Sequence, residues 1–276
     1  MEKKVSLVTG ASSGLGKDIA TLLSKKGLIV YITARRKEEL EKLKKECTKD
    51  KGEIKIIPGD LTNETFRINL ISEILKKEGK IDYLINNAGY GKLGALDKID
   101  FKDLKGMIDL DVIALQHLCA LTLPSMKKQK SGKIINISSI AAIQPPPYFA
   151  TYNSAKYAVH GFTRSLSYEL KGTGVSTSTV FPARMKTPFW AIAFKCKSLT
   201  GEEQKTCVQK WTAGSSQSMP VAKHIVKKLD SKKLIILPNT LSIIAYYFFR
   251  HFRFIGNYFM KTKAKKDAEK VLENQV

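Results

Sequence analysis

Tyr152 and Lys156 stand four residues apart in YNSAK, a step that places both side chains on one face of a helix. A phenol with a pKa near about 10 moves protons poorly at neutral pH. An ammonium one helical turn away stabilises the phenolate and lowers that value, which makes the pair a workable acid–base device. Ser139 lies thirteen positions earlier in ISS, at the end of an apolar run, where a hydroxyl could hold the oxygen that exchanges the proton. A Y-x-x-x-K spacing also occurs on ordinary helix surfaces, so its meaning depends on its surroundings.

A second stretch supplies a setting. The apolar run 5–9 leads into Gly10-Ala11-Ser12-Ser13-Gly14-Leu15-Gly16 and then an amphipathic segment. Glycines allow a tight turn and a close approach to a pyrophosphate, and the free N–H groups and dipole of the following helix attract that anion. The next apolar run ends at Thr33-Ala34-Arg35-Arg36. A dinucleotide with a free ribose 2′-OH is usually met here by a carboxylate, whereas a guanidinium suits a 2′-phosphate. Arg35 and Arg36 therefore point to NADP(H). Their other reading is the start of a solvated basic helix, and Ser13 adds no second cation.

These residues need elements to position them. Short apolar runs at 5–9, 28–33, 54–57, 81–85, 133–137, 175–181 and 234–237 alternate with helical patterns at 15–26, 37–47, 64–77, 101–127, 152–170 and 221–229. Strands separated by helices of this length form βαβ units. The expected fold is α/β, a doubly wound seven-stranded parallel sheet in a single domain. Residues 1–240 would form the catalytic, nucleotide-binding part. They would include a substrate lid at about 184–220, where weak periodicity marks the segment expected to be most mobile. Residues 241–276 would form an apolar and basic helical extension.

The 47 Lys and Arg against 25 Asp and Glu give a net charge of +22, a field that draws anions without choosing among them. The lysines are spread over many helices with no aromatic interleaving and no nucleic-acid module, so nucleic acid is not an expected partner. Cys47, Cys119, Cys196 and Cys207 form no C-x-x-C pair, so no metal site is expected and reduced thiols are. MEKK runs straight into VSLVTG with no apolar stretch of signal-peptide length. A cytoplasmic setting without export, free or at a membrane surface, is the expectation.

Taken together, TGASSGLG at 9–16, DLT at 60–62, NNAG at 86–89, ISS at 137–139, YNSAK at 152–156 and the Pro182–Thr187 stretch resemble the short-chain dehydrogenase/reductase family, of the simple Rossmann-fold type. The resemblance runs from about Val5 to Thr187 and weakens through the last strand. It implies that Tyr152 is the general acid in carbonyl reduction and the base in reverse. Lys156 would lower its pKa and hydrogen-bond the nicotinamide ribose, and Ser139 would hold the substrate oxygen. Gly10, Ser12, Ser13, Gly14, Leu15 and Gly16 would hold the pyrophosphate. Asp60 and Leu61 would border the adenine, and Asn87, Ala88 and Gly89 would pack along the cofactor. Pro182, Ala183, Met185 and Thr187 would fold over the nicotinamide end. The family also implies a homo-oligomer, a dimer or tetramer.

Two positions depart from the pattern. Asp111, thirteen residues before Pro124, stands where the family has a catalytic Asn. That residue's main-chain carbonyl supports a water linked to the lysine. A backbone role survives the exchange, while the carboxylate would disturb the proton relay or raise the lysine's pKa. Ala183 replaces a usual Gly and narrows φ freedom. The implied reaction is hydride transfer between NADP(H) and a carbonyl or secondary alcohol. Phe189, Trp190, Ile192 and Phe194, with Tyr148 and Phe149 nearby, suit a hydrophobic substrate or simply pack the lid. His160 reads as structural.

Residues 241–260 are rich in Ile, Tyr and Phe, and 231–266 hold eight Lys or Arg and no acid. Wound as a helix, Ser242, Tyr246, Arg250, Arg253, Asn257 and Lys261 share one narrow polar stripe, and the remainder is apolar. Peripheral membrane contact through 241–266 and burial against a subunit or the pocket are equal readings. Competing functions are a 3-oxoacyl thioester reductase, its basic surface receiving an acidic carrier, and a catalytically idle nucleotide-sensing protein.

Overall fold

The computed structural model describes residues 3–194, 201–266, 268 and 269. β1 (Val5–Thr9) is buried along its whole length, as befits a strand covered on both faces. β2 (Ile29–Thr33), β3 (Glu53–Ile56), β4 (Tyr83–Asn86), β5 (Gly132–Ile137) and β6 (Val175–Val180) follow, each strand separated from the next by at least one helix. These helices are α1 (Gly14–Lys25), α2 (Lys37–Glu46), α3 (Glu64–Glu78), α4 (Phe101–Ile108), α5 (Leu115–Lys128) and α6 (Ala150–Glu169). Beyond β6 come a small pair, β7 (Met185–Lys186) and β8 (Ser216–Gln217), with α7 (Phe189–Ala193) and α8 (Gly201–Thr212) between them. α9 (Ser218–Lys227), β9 (Ile235–Ile236), α10 (Thr240–His251) and α11 (Arg253–Phe259) follow, and a wider helical turn at Met260–Ala264 continues α11.

The main sheet has seven strands in the order β3-β2-β1-β4-β5-β6-β9, all parallel. One face packs Ile19 and Leu23 of α1, Leu40 and Leu43 of α2 and Val221 and Ile225 of α9. The other packs Leu70 and Ile74 of α3, Leu115 and Leu118 of α5 and Val159 and Leu166 of α6. Chain order reverses between β1 and β4, and in such sheets the crevice beyond the carboxyl ends at that point receives ligands. Register brings those ends level: Thr9 pairs with Thr33, Asn86 with Asn136 and Ile137 with Val180.

One segment differs from expectation. The single helix read over 101–127 is broken into α4 and α5 by a wider turn at Asp109–Ala114 with i→i+5 geometry. The apolar pattern survives because the axis continues, but the extra residue re-aims side chains on that turn. By length and composition the run Phe101–Lys128 is apolar enough to cross a membrane, yet its inner face is core. The weakly periodic 184–220 segment, expected as a lid, holds short helices and the β7–β8 pair; 195–200 lie outside the described residues, Cys196 among them. Cys47 and Cys119 are buried free thiols, pushed up by burial to about 11 and about 12.

Candidate active site

The carboxyl ends of β1 and β4 are stapled by one hydroxyl. Thr9 Oγ1 accepts from the N–H of Asn87 and of Ala88, both at 2.9 Å, and Asn87 Nδ2 donates to the carbonyls of Thr9 and Gly10. Gly10 turns at φ +66° and Gly14 at +54°, conformations that disfavour side chains. A Cβ on Gly16 would lie 2.5 Å from the Gly10 carbonyl oxygen. The bare backbone at the start of α1 thus forms a cradle with its N–H groups facing the crevice, and a pyrophosphate fits that donor set.

A cleft of about 550 Å³ extends from this cradle. Gly10, Ser13, Gly14, Leu15, Asn87, Ala88 and Gly89 line one part, Pro182, Ala183, Met185 and Thr187 another, and Ser139, Tyr152 and Lys156 the wall between. Ser12, Gly16, Arg35, Arg36, Asp60, Leu61 and Asp111 are outside the lining. Arg36 nevertheless sits across the turn: its Nη2 donates to Ser12 Oγ at 2.8 Å and Ser13 Oγ at 2.9 Å. Arg35 is exposed beside it. Asp60 Oδ1 accepts from the N–H and hydroxyl of Thr62, both at 2.9 Å. The Leu61 side chain is buried in the core, which leaves only its backbone for an adenine.

Tyr152 and Lys156 occupy the first turns of α6. Lys156 Nζ lies 5.5 Å from the Tyr152 ring centre and donates to the Ile137 carbonyl at 3.3 Å. Ser138 Oγ donates to the Lys156 carbonyl at 2.8 Å, tying β5 to α6. Ser139 Oγ accepts from the Ala141 N–H at 3.1 Å, and its hydroxyl also pulls the Tyr152 phenol downward in pKa.

The wide turn delivers Asp111 to this cluster. Its Oδ2 forms an ion pair with Lys156 Nζ at 2.9 Å, with side chains 0% and 7% exposed, and Oδ1 accepts from the Tyr90 N–H at 3.1 Å. The carboxylate itself, rather than only the main chain, reaches the lysine. Burial alone would lower the Lys156 pKa; the Asp111 charge, Tyr152 and the hydrogen bond to Asp111 together outweigh it and hold the ammonium above its usual value. The net displacement of Tyr152 is upward, against the sequence-based expectation: burial raises it, Lys156 lowers it, and Asp111 raises it again. Ala183 adopts no left-handed φ, so its methyl introduces no strain there; its N–H donates to Ser242 Oγ at 3.0 Å.

The end of the cleft beyond Tyr152 is aromatic. Tyr152 packs against Phe149 at 5.8 Å and Phe189 at 5.4 Å, and Trp190 stands 6.0 Å from Trp211. Arg184 lies over the Trp211 ring at 4.4 Å. Tyr148 is outside the lining; its hydroxyl donates to Glu269 at 2.7 Å. Trp211, Gln144, Leu241, Ala245, Phe249, Phe259 and Met260 line the cleft without having been singled out as pocket residues. Apart from Gln144, a polar residue five positions after Ser139, their sequence signal is apolar content far from the motifs.

His160 is structural, its ring 4.9 Å from Phe181 and Nδ1 3.4 Å from Thr179 Oγ1. Burial, with Arg164 and Arg250 adding, lowers its pKa below 6.5. The unfolded chain therefore takes up this proton first as pH falls, and stability is full above 6.5 and declines below it. His160→Gln should flatten that acid limb of a Tm-against-pH curve; an unchanged limb would place the effect elsewhere.

A doubly wound parallel sheet with a glycine cradle and a Ser-Tyr-Lys wall at its switch point defines a nucleotide-binding oxidoreductase fold. A short chain dehydrogenase family model matches residues 4–196, and the chain belongs to that family. It is 34% identical over 189 residues to a 3-ketodihydrosphingosine reductase of Bacteroides thetaiotaomicron, covering 68% of this chain and 66% of that one. An uncharacterized oxidoreductase of Staphylococcus saprophyticus is 35% identical over 191 residues, covering 68% and 81%. A Burkholderia phymatum short chain dehydrogenase/reductase in complex with NAD shares the fold at TM-score 0.81 and 23% identity, over 91% of this chain and 94% of that one. A Sphingobium yanoikuyae short-chain dehydrogenase in complex with NADPH does so at 0.76 and 23%, over 91% and 93%.

Proposed function

We propose that this protein is an NADP(H)-dependent reductase of hydrophobic ketones. The observation that supports it most is the convergence of Ser139, Tyr152 and Lys156 on one wall of the cleft that begins at the glycine cradle. When bound, the nicotinamide supplies the hydride for the carbonyl carbon. Ser139 and Tyr152 hold the carbonyl oxygen, and Tyr152 delivers the proton as charge develops there. The raised Tyr152 pKa keeps the phenol protonated at neutral pH, which suits reduction better than alcohol oxidation. Lys156 orients the ribose end, and Gly10 to Gly16 carry the pyrophosphate. Asn87, Ala88, Gly89, Pro182, Ala183, Met185 and Thr187 line the path between.

Arg36, anchored on Ser12 and Ser13, is the better-placed reader of a 2′-phosphate, with Arg35 as its neighbour. Arg36→Asp should lower kcat/KM for NADPH relative to NADH by roughly 10–100-fold, the worth of a hydrogen bond to a charged group. Equal loss with both cofactors would remove Arg36 from the selectivity role. The apolar and aromatic lining, and the relative named for a keto lipid, support a long-chain ketone as substrate class. NADPH oxidation followed at neutral pH over steroid, acyl-thioester and lipid ketones tests the proposal; no turnover with any of them would favour the nucleotide-sensing reading.

A further inference from the structure

α10 and α11 show more apolar surface than a helix pair in water should. A water-facing helix buries its apolar side and shows its polar side. Here the polar stripe starts inward, with Ser242 0% exposed and Tyr246 3%, while Arg250, Arg253, Asn257 and Lys261 farther along it are exposed. Ser242 Oγ receives the Ala183 N–H, and the Tyr246 ring lies 5.4 Å from Phe181. The apolar side faces out, with Ile244 at 59%, Tyr247 at 55%, Phe254 at 72% and Tyr258 at 72% exposed. Contiguous apolar surface of this kind marks a contact site.

Charge identifies the occupant. Residues 231–266 carry eight Lys or Arg and no acidic residue. A second copy would bring the same positive field to a symmetric contact, on a chain already at +22, and like charges would face each other. An anionic bilayer offers the opposite charge together with apolar depth, and Tyr, Phe and basic side chains are the residue types that settle at its headgroup level. Arg250 and Arg253 are exposed amid the apolar side chains, where their stems can lie along the acyl boundary while their charges reach phosphates.

The same two helices also line the catalytic cleft. Leu241 and Phe259 belong to the cleft wall and are 53% and 41% exposed, so the mouth of the cleft opens within the apolar patch. We propose that α10 and α11 lie in the surface layer of an anionic membrane and that the cleft fills directly from the lipid phase, its substrate an amphiphilic ketone that enters past Leu241 and Phe259. The substrate half rests on the reductase reading above; the membrane half does not.

The test uses the full-length protein and flotation with phosphatidylcholine vesicles, alone or with a third phosphatidylglycerol. The wild type should float with the anionic vesicles, less so at high salt. Phe254→Glu/Tyr258→Glu, outside the cleft lining, should lower the bound fraction at least tenfold, and Phe254→Ser/Tyr258→Ser, which adds no charge, should lower it as well. NADPH oxidation with a small water-soluble ketone should be equal in all three proteins, whereas turnover of a long-chain ketone dissolved in the vesicles should fall with binding. Absence of flotation, or serine and glutamate variants that float like the wild type, would overturn the membrane proposal. So would a change in sedimentation mass in those variants with flotation intact, since the patch would then join two copies. Loss of flotation without any change in vesicle-borne turnover would overturn entry from the lipid phase. Failure of every ketone with vesicle binding intact would strike the reductase reading alone.

Discussion

Tyr152→Phe should abolish most turnover, by roughly 10²–10⁴-fold in kcat, the usual contribution of a positioned proton donor. The change removes one oxygen and keeps the ring, so its contacts with Phe149 and Phe189 survive. NADPH affinity, read from binding titration in the absence of ketone, should change little because the cradle from Gly10 to Gly16 is untouched. A mutant with wild-type kcat would remove Tyr152 from proton transfer. A mutant that loses cofactor affinity in parallel would make the phenol a binding group instead. Ser139→Ala should act in the same sense but less, since one of two groups on the substrate oxygen remains.

Asp111 sets the second large effect. Its partner Lys156 is almost wholly buried, and breaking such a pair from one side leaves an uncompensated charge at a cost of about 3–5 kcal/mol. Asp111→Ala should therefore lower Tm by on the order of 10 °C, at roughly 2–4 °C per kcal/mol for a domain of this size. Asp111→Asn keeps an oxygen for the Tyr90 N–H and removes only the charge. The Asp111 carboxylate raises both the Lys156 and Tyr152 pKa values, so its loss lowers both. Alcohol oxidation needs the deprotonated phenol, and its rising limb should move to lower pH. Ketone reduction needs the protonated phenol, and its falling limb should move the same way. Profiles of kcat/KM in both directions check this; two unmoved limbs would show that the carboxylate does not act on the phenol.

The sheet was legible because most of its strands are short apolar runs between helical patterns, although β3 alternates as EIKI and β6 is rich in Ser and Thr; the cradle was legible because glycine spacing and strand position are local facts. Ser139, Tyr152 and Lys156 were legible for the same reason, since strand end and helical turn fix their relation. The contact of Asp111 with Lys156 was not, because it depends on one extra residue in a turn that leaves the apolar pattern of the helix unchanged. Arg36 and Arg35 were indistinguishable until the backbone aimed one of them at Ser12 and Ser13. Leu61 matched a motif, yet burial commits its side chain to the core. The stripe from Ser242 is polar along its length, but periodicity does not say which part is covered; packing on Ala183 and Phe181 buries Ser242 and Tyr246, while the arginines beyond stay exposed.

The chain has two tryptophans, Trp190 and Trp211, and both line the cleft beneath Arg184. Its tryptophan emission, excited selectively beyond the tyrosine band, therefore originates entirely at the aromatic end of the cleft. Quenching or a colour change on adding a ligand would report the aromatic wall itself, so occupancy can be followed by light, without labels and without catalysis.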